Sequence, residues 1–285
     1  VRIAAIVCAR DEAVHIGRCL DNLIADGIEV ILIDHSSQDS TVEIARKYLG
    51  CGLLAIEKLP WLGHFSLRQQ LMMKRAIIRG LDHDWVLHID ADEWFCAPDP
   101  DQSLVEAIRQ VDREGFTCVN FEEMVFMPWP EDDFVGEDYT RRMTTYYFYE
   151  PSCMRLMRAW SRRIDADNVF SAGHKLRSDR LKIYPQSFIN RHYIMLSYDH
   201  GRHKYGSRRF DEAELVDGWH CNRARINGND LVLKPSLHLR RLSSWDSGNF
   251  DRSAPATRHF WEWQSDNSAA SESFLPANDV LQLSA

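Results

Sequence analysis

Asp90 and Asp92, separated only by Ala91, follow the apolar run Trp85-Val86-Leu87-His88-Ile89. That run has the composition of a buried strand. If the extended geometry continues through the triplet, both carboxylates face the same way. Two anions so placed repel each other unless positive charge lies between them. A hard divalent ion, Mg²⁺ or Mn²⁺, meets that need, with a substrate diphosphate completing its octahedron. A solvated acidic turn is the plain alternative for an isolated Asp-x-Asp, so the surrounding elements decide.

The first hundred residues alternate strand and helix signals, which predicts an α/β fold with a mostly parallel sheet flanked by helices. Strands are expected at Ile3 to Cys8, Glu29 to Ile33, Leu53 to Ile56 and Trp85 to Ile89. Between them, Asp11 is placed to cap a helix with the apolar stripe Ile16, Leu20, Leu23 and Ile24. Ser40-Thr41-Val42-Glu43 has capping-box form, and Leu67, Leu71, Ile78 and Leu81 share one face of a third helix. Asp99-Pro100-Asp101-Gln102 reads as the start of a fourth.

Past about residue 115 the alternation fails. Strands are expected at Thr117 to Phe126, Thr145 to Tyr149 and Arg155 to Trp160, and a basic helix over Tyr198 to Phe210. The expected organisation is a ligand-binding half over 1–115, a less regular second half over 116–242, and a tail over 243–285 packed on the body.

Three loops would meet at the carboxyl ends of parallel strands: Cys8 to Glu12, Asp34 to Asp39, and Asp90 to Glu93. Open α/β sheets bind ligands at that edge. The chain has neither Gly-x-Gly-x-x-Gly after its first strand nor a Gly-x-x-x-x-Gly-Lys-Ser/Thr loop, which argues against an ordinary dinucleotide fold or a P-loop enzyme. A net charge of −8 argues against general nucleic-acid affinity. Seven cysteines without a Cys-x-x-Cys pair predict reduced thiols and a cytoplasmic protein. No stretch reaches the roughly 18–20 apolar residues of a membrane span, though peripheral contact with the inner face of the membrane stays open.

Three segments, taken in order, resemble the family 2 glycosyltransferases of GT-A (Rossmann-like) fold. They are Ile3-Ala-Ala-Ile-Val-Cys-Ala-Arg-Asp-Glu, Val30-Ile-Leu-Ile-Asp-His-Ser-Ser-Gln-Asp-Ser-Thr and Leu87-His-Ile-Asp-Ala-Asp-Glu-Trp. The resemblance covers about residues 1–95. It implies transfer of a sugar from a nucleotide-diphosphate donor to a hydroxyl acceptor, with inversion and with a metal ion.

By the same resemblance, the donor lies near Cys8, Arg10, Glu12, Asp34, His35, Arg68, Asp90 and Ala91. Asp92 is the chief metal ligand, and Asp90 serves the ribose or the metal. A uridine donor is favoured; Asp11 departs from the family's usual Asn, and His35 departs at a position that often reads the base, which leaves guanosine and thymidine open. The acceptor is a saccharide, lipid-linked or small molecule, a cell-surface glycan being one form.

Inversion needs a base opposite the leaving group. His174, in Ser171-Ala-Gly-His-Lys-Leu, stands where relatives carry His followed by an acid, and is read as base or metal ligand. Asp165, Asp167 and Asp179 are the carboxylate alternatives. Glu93 is open between catalysis and a structural ion pair. His200, His203 and Lys204 would share a helix face, with His203 and Lys204 gripping the diphosphate or an anionic acceptor. A zinc site at His200 and His203 would need ligands that the sequence does not identify. Trp219-His220-Cys-Asn-Arg could close the pocket, and the loop from Pro128 to Asp138, with Trp129 and Glu131-Asp-Asp, could form an acceptor lid. The rival readings are a sugar-nucleotide pyrophosphorylase, whose Gly-rich loop is missing, and a noncatalytic nucleotide-sugar-binding module.

Overall fold

The computed structural model describes residues 1–206, 208–220, 222–226 and 231–263. The chain order begins β1 (Ile3–Ala9), α1 (Ala13–Ala25), β2 (Glu29–Asp34), α2 (Thr41–Arg46), β3 (Leu53–Lys58), α3 (Leu67–Gly80) and β4 (Trp85–Asp90). It continues with β5 (Glu93–Cys96), α4 (Leu104–Arg113), β6 (Cys118–Phe126), α5 (Tyr139–Arg142), β7 (Thr145–Tyr149) and β8 (Leu156–Ser161). The remaining elements are β9 (Phe188–His192), α6 (Tyr198–Gly206), α7 (Glu212–Val216) and β10 (Leu239–Arg241).

The strands form one mixed sheet in the order β10-β7-β6-β8-β4-β1-β2-β3, with β9 joining β5 to β6. The block β4-β1-β2-β3 is parallel, whereas β8 enters antiparallel to both β4 and β6. Both expected halves therefore contribute to a single sheet.

Register aligns the strand ends. Cys8 lies opposite Asp90, and Ala9 opposite Asp34, so the three acidic loops do leave the sheet at one edge. Covering one face of the parallel block is α1, whose Ile16, Leu20 and Leu23 are fully buried in one cluster with β1 and β2 side chains such as Val7 and Leu32. That is the stripe its periodicity predicts.

Three helix starts differ from the sequence reading. Asp11 has a positive φ of 55° and does not cap α1. The N-terminal amides of α1 are met across the loops: Thr41 Oγ1 accepts from Glu12 N at 2.8 Å and Asp39 from Ala13 N at 3.0 Å. Asp11 in turn accepts from Gln38 N at 2.6 Å. The first two motifs are thus one hydrogen-bonded unit.

Ser40 makes no side-chain cap on α2, because Asp39 accepts from Thr41 N at 2.9 Å instead. The fourth helix starts at Leu104 rather than near Asp99, since Ser103 and Glu106 form the capping box while Asp99 closes a turn onto Asp101 and Gln102. Of the expected tail, residues 243–263 lay Phe250, Ala256 and Phe260 into the core, and the remainder lies outside the described residues.

Candidate active site

At the aligned strand ends opens a cleft of about 710 Å³. Its wall includes Cys8, Arg10, Glu12, Asp90, Ala91, Asp92, Glu93, His174 and Lys204 from the sequence-derived set. Asp34, His35, Arg68 and His203 lie outside that wall.

Local bonding explains each exception. Asp34 accepts from Ser37 N at 3.0 Å and so shapes its own loop. His35 is fully buried, with Gln70 Nε2 at 3.1 Å from its Nδ1 and Trp61 edge-on. Arg68 turns outward to Asp217 at 2.5 Å, stacked on Trp219. His203 is exposed, because α6 turns Lys204 inward and His203 out.

Asp92 is held by a chain of alternating charge. Lys204 Nζ lies 2.8 Å from Asp92 Oδ2 and 3.0 Å from Glu12, all three side chains being nearly buried. His192 Nε2 sits 3.4 Å from the same Asp92 oxygen, while its Nδ1 bonds Glu123 at 2.6 Å. Arg155 closes the chain on Glu123. Burial works against the charged form of Asp92, yet Lys204 and His192 hold it well below the usual carboxylate range. Burial raises Glu12 despite the neighbouring ammonium.

Asp90 is placed differently. Its side chain is 43% exposed, and its cations stand off, Arg158 at 3.6 Å and Lys74 at 3.7 Å. Glu93 engages both oxygens in shaping the turn: Oε2 accepts from Asp90 N and Oε1 from Asn190 Nδ2, each at 2.9 Å. Pairing of β5 with β9 sets Glu93 opposite His192, and Asp92 O accepts from Tyr193 N at 2.8 Å.

His174 reaches the cleft on a tight loop. Gly173 has φ of +80°, and a Cβ there would meet His88 Cε1 at 2.8 Å, so the loop can pack against β4 only with glycine. His174 Nδ1 lies 3.0 Å from Ser171 O, where it donates and leaves Nε2 as the acceptor. Burial, then Arg155 and Arg158, push its pKa well below the ordinary histidine value, so the ring is neutral at pH 7.

Asp165, Asp167 and Asp179 do not line the cleft, nor does any part of the loop from 128 to 138, which bonds instead to the segment before α6. Trp219, His220, Asn222 and Arg223 do line it. Trp219 N donates to Glu214 O at 2.8 Å and His220 Nε2 lies 3.2 Å from Glu214 Oε2, while the Glu214 carboxylate accepts from Ser66 Oγ, Leu67 N and Arg68 N at the start of α3.

Could these residues hold a divalent ion? Among the described residues no group of three or more His, Cys, Asp or Glu forms a metal cage. His174 does not join the acid pair as a third ligand; its charged neighbours are arginines. The carboxylates themselves suit a hard cation. Asp90 is open to the cleft, and the ionic contacts of Asp92 fall on Oδ2. Mg²⁺ commonly takes one or two carboxylates and draws its other ligands from water and phosphate, so the donor set fits an ion that arrives with a diphosphate.

Sequence reasoning missed Glu123, Arg155, Arg158 and His192. Their signal was weak but real: charged residues in strands otherwise apolar need buried partners.

A mixed sheet with acidic loops gathered at its parallel edge defines an α/β protein with a polar cleft there. The sequence model of glycosyl transferase family 2 matches residues 4–164, and the chain belongs to that family. An uncharacterized glycosyltransferase of Rickettsia conorii is 34% identical over 92 residues, a match spanning 32% of this chain and 29% of the relative. Among solved structures, S. aureus TarS (residues 1–349) is 15% identical, with TM-score 0.43, over 82% of this chain and 76% of that one. A Pyrobaculum calidifontis mannosyltransferase in complex with GDP-Man and Mn²⁺ is 24% identical, with TM-score 0.33, over 42% and 35% of the respective chains.

Proposed function

We propose that the protein is a metal-dependent, inverting glycosyltransferase that moves a sugar from a nucleotide diphosphate, with uridine as the favoured base, to a hydroxyl acceptor such as a cell-surface saccharide. The supporting observation is the cleft in a family 2 chain where Glu12, Asp90 and Asp92 meet buried cations. Asp90 and Asp92 would hold the ion. When bound, it supplies charge neutralisation and orientation to the departing diphosphate.

The protein's own groups do the rest. His174 Nε2 takes the acceptor hydroxyl proton; the acceptor oxygen bonds to the anomeric carbon. The bond from that carbon to the phosphate oxygen breaks, and its electron pair leaves on the diphosphate. Arg158 and Lys204 face that growing negative charge from a largely buried wall. Glu93 positions the acidic turn rather than exchanging protons. Lys204 and His192 keep Asp92 Oδ2, which would leave Oδ1 to the ion.

A thermal-shift panel of UDP, GDP and dTDP with and without Mn²⁺ tests donor binding. A ligand at 100 times its Kd stabilises the native state by about 2.7 kcal/mol. A rise in Tm with one diphosphate, larger with Mn²⁺ and absent in Asp92→Asn, is the expected result. No rise with any of the three contradicts the proposal.

A further inference from the structure

A second cavity, of about 320 Å³, lies between α3, the central strands and the loop after β8. It shares only His88 with the lining of the active-site cleft. Its floor is apolar and includes Ile6, Leu87, Trp160 and Ile164. Its charged lining consists of Lys74, five arginines (75, 79, 162, 163 and 180) and a single acid, Asp165. In a chain of net charge −8, that is a local reversal of sign.

Part of this charge is already used. Arg75 faces Asp167, Arg163 pairs with Asp112, and Arg162 donates to His83 O. Arg79 and Arg180 are exposed and make no ion pair among the described residues. Lys74 is the stronger indication: it is 3% exposed, and its ammonium has no hydrogen-bond partner, Asp90 at 3.7 Å being its nearest acid. A buried ammonium without a hydrogen bond is costly, and an entering anion would remove that cost.

We propose that this cavity binds an organic phosphate monoester, its ring-sized apolar body on the Trp160 floor and its dianionic head at Lys74, Arg79 and Arg180. The volume is at the small end of ligand pockets and suits a one- or two-ring molecule. Charge-assisted bonds from arginine and lysine favour phosphate over neutral heads. Because Lys74 also faces Asp90, the two anions compete for one ammonium.

The probe is 1-naphthyl phosphate, titrated calorimetrically into the whole chain. One saturable site is expected, weakened about tenfold or more in Arg79→Glu/Arg180→Glu, whose positions are exposed and whose change spares the core. Trp219→Ala, on the wall of the other cleft, should leave the affinity unchanged. Asp90→Asn should tighten it severalfold by freeing Lys74. Inorganic phosphate should bind at least tenfold more weakly. No saturable binding overturns the proposal, as does equal affinity for inorganic phosphate. Binding lost in Trp219→Ala but kept in the charge reversal would assign the probe to the active-site cleft and overturn it as well. An unchanged affinity in Asp90→Asn would show that the head does not meet Lys74 and would overturn the proposal too.

Discussion

Asp90 and Asp92 stand two residues apart and live in opposite surroundings. Asp92 is nearly buried, 2.8 Å from Lys204 and backed by His192 and Glu123. Asp90 faces the open cleft, and both of its cations lie beyond hydrogen-bond distance. One acidic pair therefore combines a fixed anchor with an open carboxylate. The anchor is costly to disturb because each member of a buried charge chain leaves others uncompensated. The open member is screened by water and contributes little to stability.

Removing the anchor should have the largest effect. Asp92→Ala is expected to lose about 3–5 kcal/mol in urea unfolding, since Lys204 and His192 lose their shared anion, and to abolish donor turnover. His174→Ala should leave stability nearly unchanged and lower turnover by about 10²–10⁴, with donor affinity retained. Gly173→Ala, at positive φ and against His88, should cost about 1–3 kcal/mol and lower turnover along with it by displacing His174. Asp90→Ala is expected to cost clearly less than Asp92→Ala, because Asp90 is open to water and neither Lys74 nor Arg158 lies within hydrogen-bond distance of it. Equal losses for Asp92→Ala and Asp90→Ala would erase the contrast between the two carboxylates.

Acid sharpens the account from another side. His88 and His259 are buried and His174 is half-buried, and desolvation, joined by nearby arginines at His174, lowers each well below the ordinary value of 6.5. The unfolded chain then binds more protons than the native one below about pH 6.5, so stability must fall as pH drops from there toward the depressed native values. Urea unfolding across pH 7.5 to 5 should show that decline beginning above the carboxylate range. For the same reason the acid limb of kcat/KM assigned to His174 should lie below 6.5; a limb at or above 6.5 would point to another base.

How much of this was legible before the coordinates? The parallel block was, because Ile3–Ala9 is apolar throughout and Glu29–Asp34 and Trp85–Asp90 are mainly apolar runs ending in an acid, and a parallel sheet buries such strands on both faces. The strand-end loops followed from that. Helix starts were less legible: Asp39 and Thr41 serve amides across a loop, so the cap of α1 is not adjacent in sequence.

The second half was hardest. His192 reaches Asp92 only because β9 pairs with β5, a contact between residues about a hundred positions apart that no local pattern encodes. Lys204 was noticed as part of a basic helix, but its partners Glu12 and Asp92 were not foreseeable from spacing. His203, three residues from His200, was expected inward and faces solvent. Periodicity names a helix face, and packing decides which edge of it is buried.

The most direct measurement follows the release of nucleotide diphosphate from UDP-, GDP- and dTDP-sugars incubated with the protein and Mn²⁺, without acceptor. Slow hydrolysis of one donor by the wild type, lost in Asp92→Asn and suppressed by a chelator, is the result predicted here. Release from none of them, or release at the same rate in Asp92→Asn, would contradict it.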